Sequence, residues 1–354
     1  MFSWFLFIIL LYNGVLSDYY SNRTGESNKV NFPKLARRRS IVSLIFSHND
    51  SNASTSAANG DSNVSTNVTP CRWLRGFKHQ NKMCRKRKGL SQALLIAKHL
   101  AVVSCKEQFR FERWNCSYKK SIFRKIYRET ALLYAMSGAA IAYSIARACS
   151  EGTIHNCRCA RPESNEQPRH HWKWGGCGDN TKQAKKITEN FLQLKRKKEN
   201  DSFSITLNYN TEVGLATLSE VEMKVCTCHG VSASCVMKTC WKRLQPFPKV
   251  AQKLRDRYHS AILPSPENTV KQKNLNKRKY SRNLIYFEQS PTYCQETVGR
   301  ECTDADNCAT LCCGRGFEIH EAVRYKQCRC HWKQCCLDVA CDTCREIVHV
   351  YRCK

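Results

Sequence analysis

The sequence predicts a disulfide-rich α+β fold: a helical N-terminal domain that carries a disulfide-tied finger, then a cysteine-rich C-terminal domain of β-hairpins. Three observations predict it. All 24 cysteines lie between Cys71 and Cys353, and twelve fall in the last 61 residues, the density of a disulfide scaffold. The chain from Cys71 to about Leu244 has long apolar stretches with helical spacing. Between them, Cys226, Cys228, Cys235 and Cys240 are spaced so that nested pairs, Cys226–Cys240 around Cys228–Cys235, would close a two-stranded finger with a small tip loop.

At 354 residues and 42% hydrophobic content, the chain can bury a core and is not wholly disordered. The even cysteine count argues for an oxidising compartment and against a cytosolic enzyme. The net charge of +29 asks for a polyanionic partner: nucleic acid, acidic lipid or sulfated glycan. Disulfides place that partner outside the cell, which demotes nucleic acid.

Residues 1–17 read as a signal peptide. Phe2 to Leu11 is almost wholly apolar and Val15-Leu16-Ser17 suits a signal peptidase, although no lysine or arginine precedes Arg23. The alternative, an uncleaved anchor, needs a longer apolar run. Residues 18–70 lack cysteine, are rich in Ser, Asn and Thr, and read as a flexible glycosylated arm. Acceptor triplets for N-linked glycan occur at Asn22, Asn49, Asn52, Asn63, Asn67, Asn115 and Asn200. Residues 71–245 form the helical domain, with helices expected over Ser91 to Cys105, Lys120 to Cys149 and Thr181 to Lys198. The uncharged run Thr130 to Ala146 is 17 residues long and is expected as a buried helix, not a membrane span. Residues 246–282 read as a basic linker and 283–354 as the C-terminal domain, whose hairpins need disulfides because apolar sequence is scarce.

Besides the finger, two constellations stand out: Cys312-Cys313-Gly314-Arg315-Gly316, and the set Cys328, Cys330, Cys335, Cys336, Cys341 and Cys344. Short-spaced cysteines near His229 and His331 resemble zinc ligands, but zinc needs reduced thiolates, which an exported chain does not keep. No metal and no cofactor is expected. A hydrolase would need Ser232 activated by a base. The run Gly230-Val231-Ser232-Ala233-Ser234 lacks the second glycine of a nucleophile elbow and has no evident acid partner, so no enzyme activity is expected.

The finger Cys226-Thr227-Cys228-His229-Gly230-Val231-Ser232-Ala233-Ser234-Cys235 resembles the signature of the Wnt family of secreted signalling proteins. So do Arg113-Trp114-Asn115-Cys116, Trp172-Lys173-Trp174-Gly175-Gly176-Cys177, Leu311-Cys312-Cys313-Gly314-Arg315-Gly316 and the closing Val350-Tyr351-Arg352-Cys353-Lys354. The resemblance runs from Cys71 to Lys354. It implies the pairs Cys105–Cys116, Cys149–Cys157, Cys159–Cys177, Cys294–Cys313, Cys302–Cys308, Cys312–Cys353, Cys328–Cys344, Cys330–Cys341 and Cys335–Cys336, besides the two finger pairs, and leaves Cys71 and Cys84 to each other.

It also implies a function. A serine at the position of Ser232 carries a covalent monounsaturated (palmitoleoyl-type) fatty acyl ester, added by the acyltransferase Porcupine. The lipid enters the cysteine-rich domain of a Frizzled receptor, with His229, Gly230, Val231, Ser232 and Ala233 at the contact. A second contact corresponds to the hairpin tip from Trp332 through Cys335 and Cys336 to Leu337. Such ligands engage a lipoprotein-receptor-related co-receptor and leave the cell on the carrier Wntless. They act in development and cell fate as secreted glycoproteins of the extracellular space, matrix and cell surface.

Two positions depart from the family pattern. Ala233 replaces the usual glycine, at a cost of order 1 kcal/mol if the backbone there needs positive φ. Gln334 stands where a tryptophan is usual, and one residue is inserted before Cys341. These departures motivate an alternative, an unacylated secreted antagonist or matrix-binding protein; Ser234 is a weaker second acceptor. Basic clusters point to heparan sulfate proteoglycans: Lys82, Arg85, Lys86, Arg87 and Lys88, then Lys271, Lys273, Lys277, Arg278, Lys279 and Arg282, the last six within twelve residues that hold no acid. A further run, Lys119, Lys120, Arg124, Lys125 and Arg128, adds to the charge.

Overall fold

The computed structural model describes residues 40–46, 71–117, 120–160, 172–194, 202–264, 282–333 and 338–354. In chain order the helices are α1 (Ile41–Ile45), α2 (Lys78–Lys86), α3 (Leu90–Gln108), α4 (Arg128–Ser150), α5 (Thr181–Leu192), α6 (Ser202–Glu220), α7 (Phe247–His259) and α8 (Ala305–Leu311). The strands are β1 (Trp172–Trp174), β2 (Glu222–Cys228), β3 (Lys238–Leu244), β4 (Glu301–Cys302), β5 (Phe317–Trp332) and β6 (Val339–Cys353). They form two three-stranded sheets, ordered β1-β3-β2 and β4-β6-β5.

Helix α4 is the centre of the core. It is apolar around its circumference, and α3, α5, α6 and α7 pack on it. Among the described residues it alone is long and apolar enough to cross a membrane, and most of it is buried in protein, as expected of a core helix. Close packing with α6 depends on Gly214. A Cβ there would sit 2.0 Å from the Ala135 carbonyl oxygen and 2.8 Å from the Ala135 Cα.

The helix expected over Thr181 to Lys198 ends at Leu192, with Gln193 left-handed, and other departures from the sequence reading bear on the core. The arm at 18–70 contains a short ordered element: Ile41, Val42, Ile45 and Phe46 are buried in the main core, and the Ser40 side chain caps α1 by accepting from the Val42 amide. The apolar run Ile41-Val42-Ser43-Leu44-Ile45-Phe46 is long enough to bury one face, which the polar composition around it conceals. The helix expected over 120–149 is two pieces, a 3₁₀ turn at Lys120–Arg124 and then α4. The Ile126 carbonyl between them turns away to accept from the Phe287 and Glu288 amides. The linker expected at 246–282 begins with α7, whose Phe247, Val250, Ala251 and Leu254 are buried at helical spacing. Helix α6 was not expected at all. It is rich in β-branched residues, and Thr206, Thr211 and Thr217 each donate a hydroxyl hydrogen bond to the carbonyl four residues earlier.

Between α7 and the C-terminal sheet, the returning chain is fixed by buried polar groups. Asn210 on α6 donates to the Ile285 carbonyl and accepts from the Ile285 amide, both at 2.9 Å. Glu129, in the first turn of α4, is 1% exposed. Its two oxygens accept from Tyr258 at 2.9 Å and Ser290 at 2.8 Å. Burial, and then the Glu129 carboxylate, push the Tyr258 phenol far above its ordinary range, so it stays a donor. Glutamine at position 129 offers one acceptor where two donors point. Glu129→Gln is therefore expected to lower stability by about 1–3 kcal/mol, read as a lower melting temperature of the secreted protein. An unchanged melting temperature refutes this role.

The C-terminal sheet is built around the long β5–β6 hairpin. It is tied to the helical body by Arg113 donating to Thr310, by Arg300 donating to the Arg110 and Arg113 carbonyls, and by Asn307 donating to Phe111.

Candidate functional site: the finger and the hairpin

The finger is the antiparallel pair β2–β3, in register so that Cys226 faces Cys240 and Cys228 faces Lys238. Disulfides join Cys226 to Cys240 and Cys228 to Cys235. Each bridge limits the unfolded chain by about 2–4 kcal/mol, and together they leave only the 229–234 loop to close. The base is braced by β1, which runs parallel to β3. The Lys224 ammonium lies 5.8 Å from the Trp174 ring centroid, a brace that spacing along the chain does not signal.

The tip is one 3₁₀ turn, Val231–Ala233. Three backbone hydrogen bonds close it: His229 to Met237 at 2.7 Å, Gly230 to Ser234 at 2.9 Å and Ser234 to Val231 at 3.1 Å. Gly230 is needed for space, since a Cβ there would lie 2.6 Å from the Ser234 carbonyl oxygen. Ser232 and Ala233 are both left-handed, at φ 53° and 60°. For alanine that backbone costs about 1 kcal/mol relative to glycine. Ala233→Gly is expected to recover about that much tip stability, seen as slower amide exchange at 230–235 and a larger acylated fraction. Exchange that speeds up or stays the same refutes it.

Ser232 is exposed, and its hydroxyl has no hydrogen-bond partner among the described residues. His229 is exposed too, and among the described residues neither it nor any carboxylate bonds to Ser232. A nucleophile would need a base in hydrogen-bond reach. The surrounding tip surface is apolar: Val231 is 90% exposed, with Val236 and Met237 also in solvent.

The second projection is the β5–β6 hairpin. Disulfides Cys328–Cys344 and Cys330–Cys341 staple it, and a register shift between Cys328 and His331 accommodates the second bridge. Near the end Trp332 faces Val339 and is 70% exposed. Lys333 and Asp338 close the described strands with a backbone bond at 2.9 Å and an ion pair at 3.1 Å. Gln334, Cys335, Cys336 and Leu337 lie outside the described residues.

The remaining described cysteines join Cys71 to Cys84, Cys105 to Cys116, Cys149 to Cys157, Cys159 to Cys177, Cys294 to Cys313, Cys302 to Cys308 and Cys312 to Cys353. The sulfurs of Cys302, Cys312 and Cys353 cluster because two of these bridges stack, and bridged sulfurs are not thiolate ligands.

Of the glycan acceptors, Asn115 alone is described. Its side-chain oxygen accepts from the Ser117 amide, and among the described residues no bond holds its nitrogen. The other six lie outside the described residues, as do Lys271, Lys273, Lys277, Arg278 and Lys279. Arg282 pairs with Glu220 at 3.5 Å. Lys82, Arg85, Lys86 and Lys88 are exposed on or just after α2, with Arg87 half-buried.

Fold and site together define a disulfide-rich α+β scaffold that presents two stapled projections. A sequence model described as the wnt family matches residues 74–354. The chain is 41% identical over 304 residues to protein Wnt-4 of Drosophila melanogaster, which covers 80% of this chain and 56% of that one. It therefore spans little more than half the length of that relative. It is 37% identical over 305 residues to human protein Wnt-9b, covering 80% of this chain and 85% of that one. Among solved structures it resembles a chain from human WLS in complex with WNT8A, with a TM-score of 0.54 and 29% identity over 75% of this chain and 94% of that one. The chain belongs to the Wnt family.

Proposed function

We propose that the protein is a secreted Wnt ligand, fatty-acylated on Ser232, that binds the cysteine-rich domain of Frizzled receptors and activates Wnt signalling in development and cell fate. The observation that supports this reading is the placement of Ser232: exposed, without a bond among the described residues, and held on a doubly bridged tip among apolar side chains. A rigid tip lowers the ordering cost of inserting an acyl chain into a receptor groove. Porcupine supplies the ester, and Wntless carries the acylated chain outward. Similarity to a chain solved with WLS supports the carrier. The hairpin end from Trp332 to Leu337 makes the second receptor contact, and a lipoprotein-receptor-related co-receptor completes the signalling complex. Acceptor asparagines carry glycan, and the basic clusters retain the protein on heparan sulfate proteoglycans at the cell surface and in the matrix.

Mass spectrometry of the 226–240 peptide tests this. Secreted, active material is expected to bear a monounsaturated acyl ester on Ser232 that mild alkali removes. Active material with an unmodified Ser232 overturns the reading in favour of an unacylated matrix-binding protein.

A further inference from the structure

The α2 and α5 helices flank an open cleft of about 950 Å³. Cross-helix hydrogen bonds set its width. His79 bonds through Nε2 to the Asn190 carbonyl at 3.0 Å, and the buried Gln80 amide donates to the Phe191 carbonyl at 2.8 Å. Exposed Lys78 and Lys186 line it, with Glu189, Asn190 and Gln193 in its wall. Along the same helices stand Lys82, Arg85, Lys86 and Lys185, all exposed. Among the described residues none of these six cations has an ion-pair partner, whereas Lys253, Arg257 and Arg282 elsewhere share Glu220.

We infer that the α2–α5 cleft is the docking site for a sulfated polysaccharide, with Lys78 and Lys186 as its central sulfate contacts. The inference rests on the glycan reading proposed above and narrows it: the α2 cations act together with those of α5, about a hundred residues along the chain. The lining favours a sugar over other polyanions. A sulfated glycan alternates sulfates with free hydroxyls. Lysines take the sulfates, while the exposed Asn190 offers an amide to the hydroxyls. Nucleic acid is disfavoured because the disulfides place the protein's partner outside the cell. A lipid surface is disfavoured because neither helix exposes a large apolar side chain.

The test is retention of the full-length secreted protein on immobilised heparin across a salt series. Lys78→Glu with Lys186→Glu is expected to elute at lower salt, and the slope of log affinity against log salt is expected to fall by about two, one unit for each lost contact. Lys78→Arg with Lys186→Arg is expected to elute with the wild type. Lys271→Glu with Lys277→Glu is expected to move the slope less than the cleft pair. Binding to an isolated Frizzled cysteine-rich domain reports folding of each variant, and Lys78→Ala with Lys186→Ala replaces the glutamate pair if that pair is not secreted. An unmoved slope in the cleft pair overturns the inference while leaving glycan binding standing. Single-stranded DNA of equal charge that competes as well as soluble heparin overturns the sugar assignment. Wild-type protein that passes through the heparin column overturns the underlying glycan reading itself.

Discussion

Ser232→Ala is expected to abolish high-affinity binding to the Frizzled cysteine-rich domain, and with it signalling in a cell reporter, while leaving the fold intact. The two halves have separate physical causes. Ser232 is exposed and its hydroxyl bonds to nothing among the described residues, so its removal belongs with surface substitutions that change stability by about 0.5 kcal/mol or less. The tip keeps its shape because three backbone bonds and two disulfides hold it, none of them through the serine side chain. The acyl chain is another matter. Burial contributes about 0.8 kcal/mol per methylene, so a dozen methylenes contribute about 10 kcal/mol gross. If only a third of that survives the costs of association, affinity still changes by more than a hundredfold. The measurements are the dissociation constant for the isolated receptor domain and the melting temperature. Full reporter activity from Ser232→Ala sinks the acylated reading. A collapsed melting temperature shows instead that the serine supports the tip.

Gly214→Val is expected to stop secretion. The Cβ of any other residue would lie 2.0 Å from the Ala135 carbonyl oxygen and 2.6 Å from its carbon, and these are backbone atoms that cannot rotate aside. Helices α4 and α6 would have to separate, which loosens the core in which Val213, Leu215 and Leu218 are buried. Overpacking costs typically 1–3 kcal/mol and more where backbone must move, against a total stability of about 5–15 kcal/mol. Ala216→Val, on the half-buried side of the same helix, is the control and is expected to secrete normally. Pulse-chase of secreted against retained protein reads the result. Normal secretion of Gly214→Val would falsify the close approach of the two helices.

The finger was visible in the chain because its information is local. Cys226, Cys228, Cys235 and Cys240 lie within fifteen residues, and nested closure leaves two strands and a tip. Helix α4 was visible because a residue buried on every side must be apolar on every side, as Ala131 to Ala146 largely is. Helix α7 was present in the spacing of Phe247, Val250, Ala251 and Leu254 but was hidden by the basic composition around it. Helix α6 left no such mark. Its threonines and Gly214 are poor helix formers, and only burial against α4 and α7 outweighs that preference.

What the sequence by itself determined is whatever short-range spacing and composition can encode: the disulfide-rich class, the central apolar helix, the finger and the serine at its tip. Only the tertiary structure decided the docking of α1 into the core, the folding of α6 as a helix, and the placing of Lys78 and Lys186 in the lining of one cleft. The reason is common to all three. Each depends on groups far apart in the chain, and which distant groups meet is set by close packing around α4, a property of the whole core that no local pattern records.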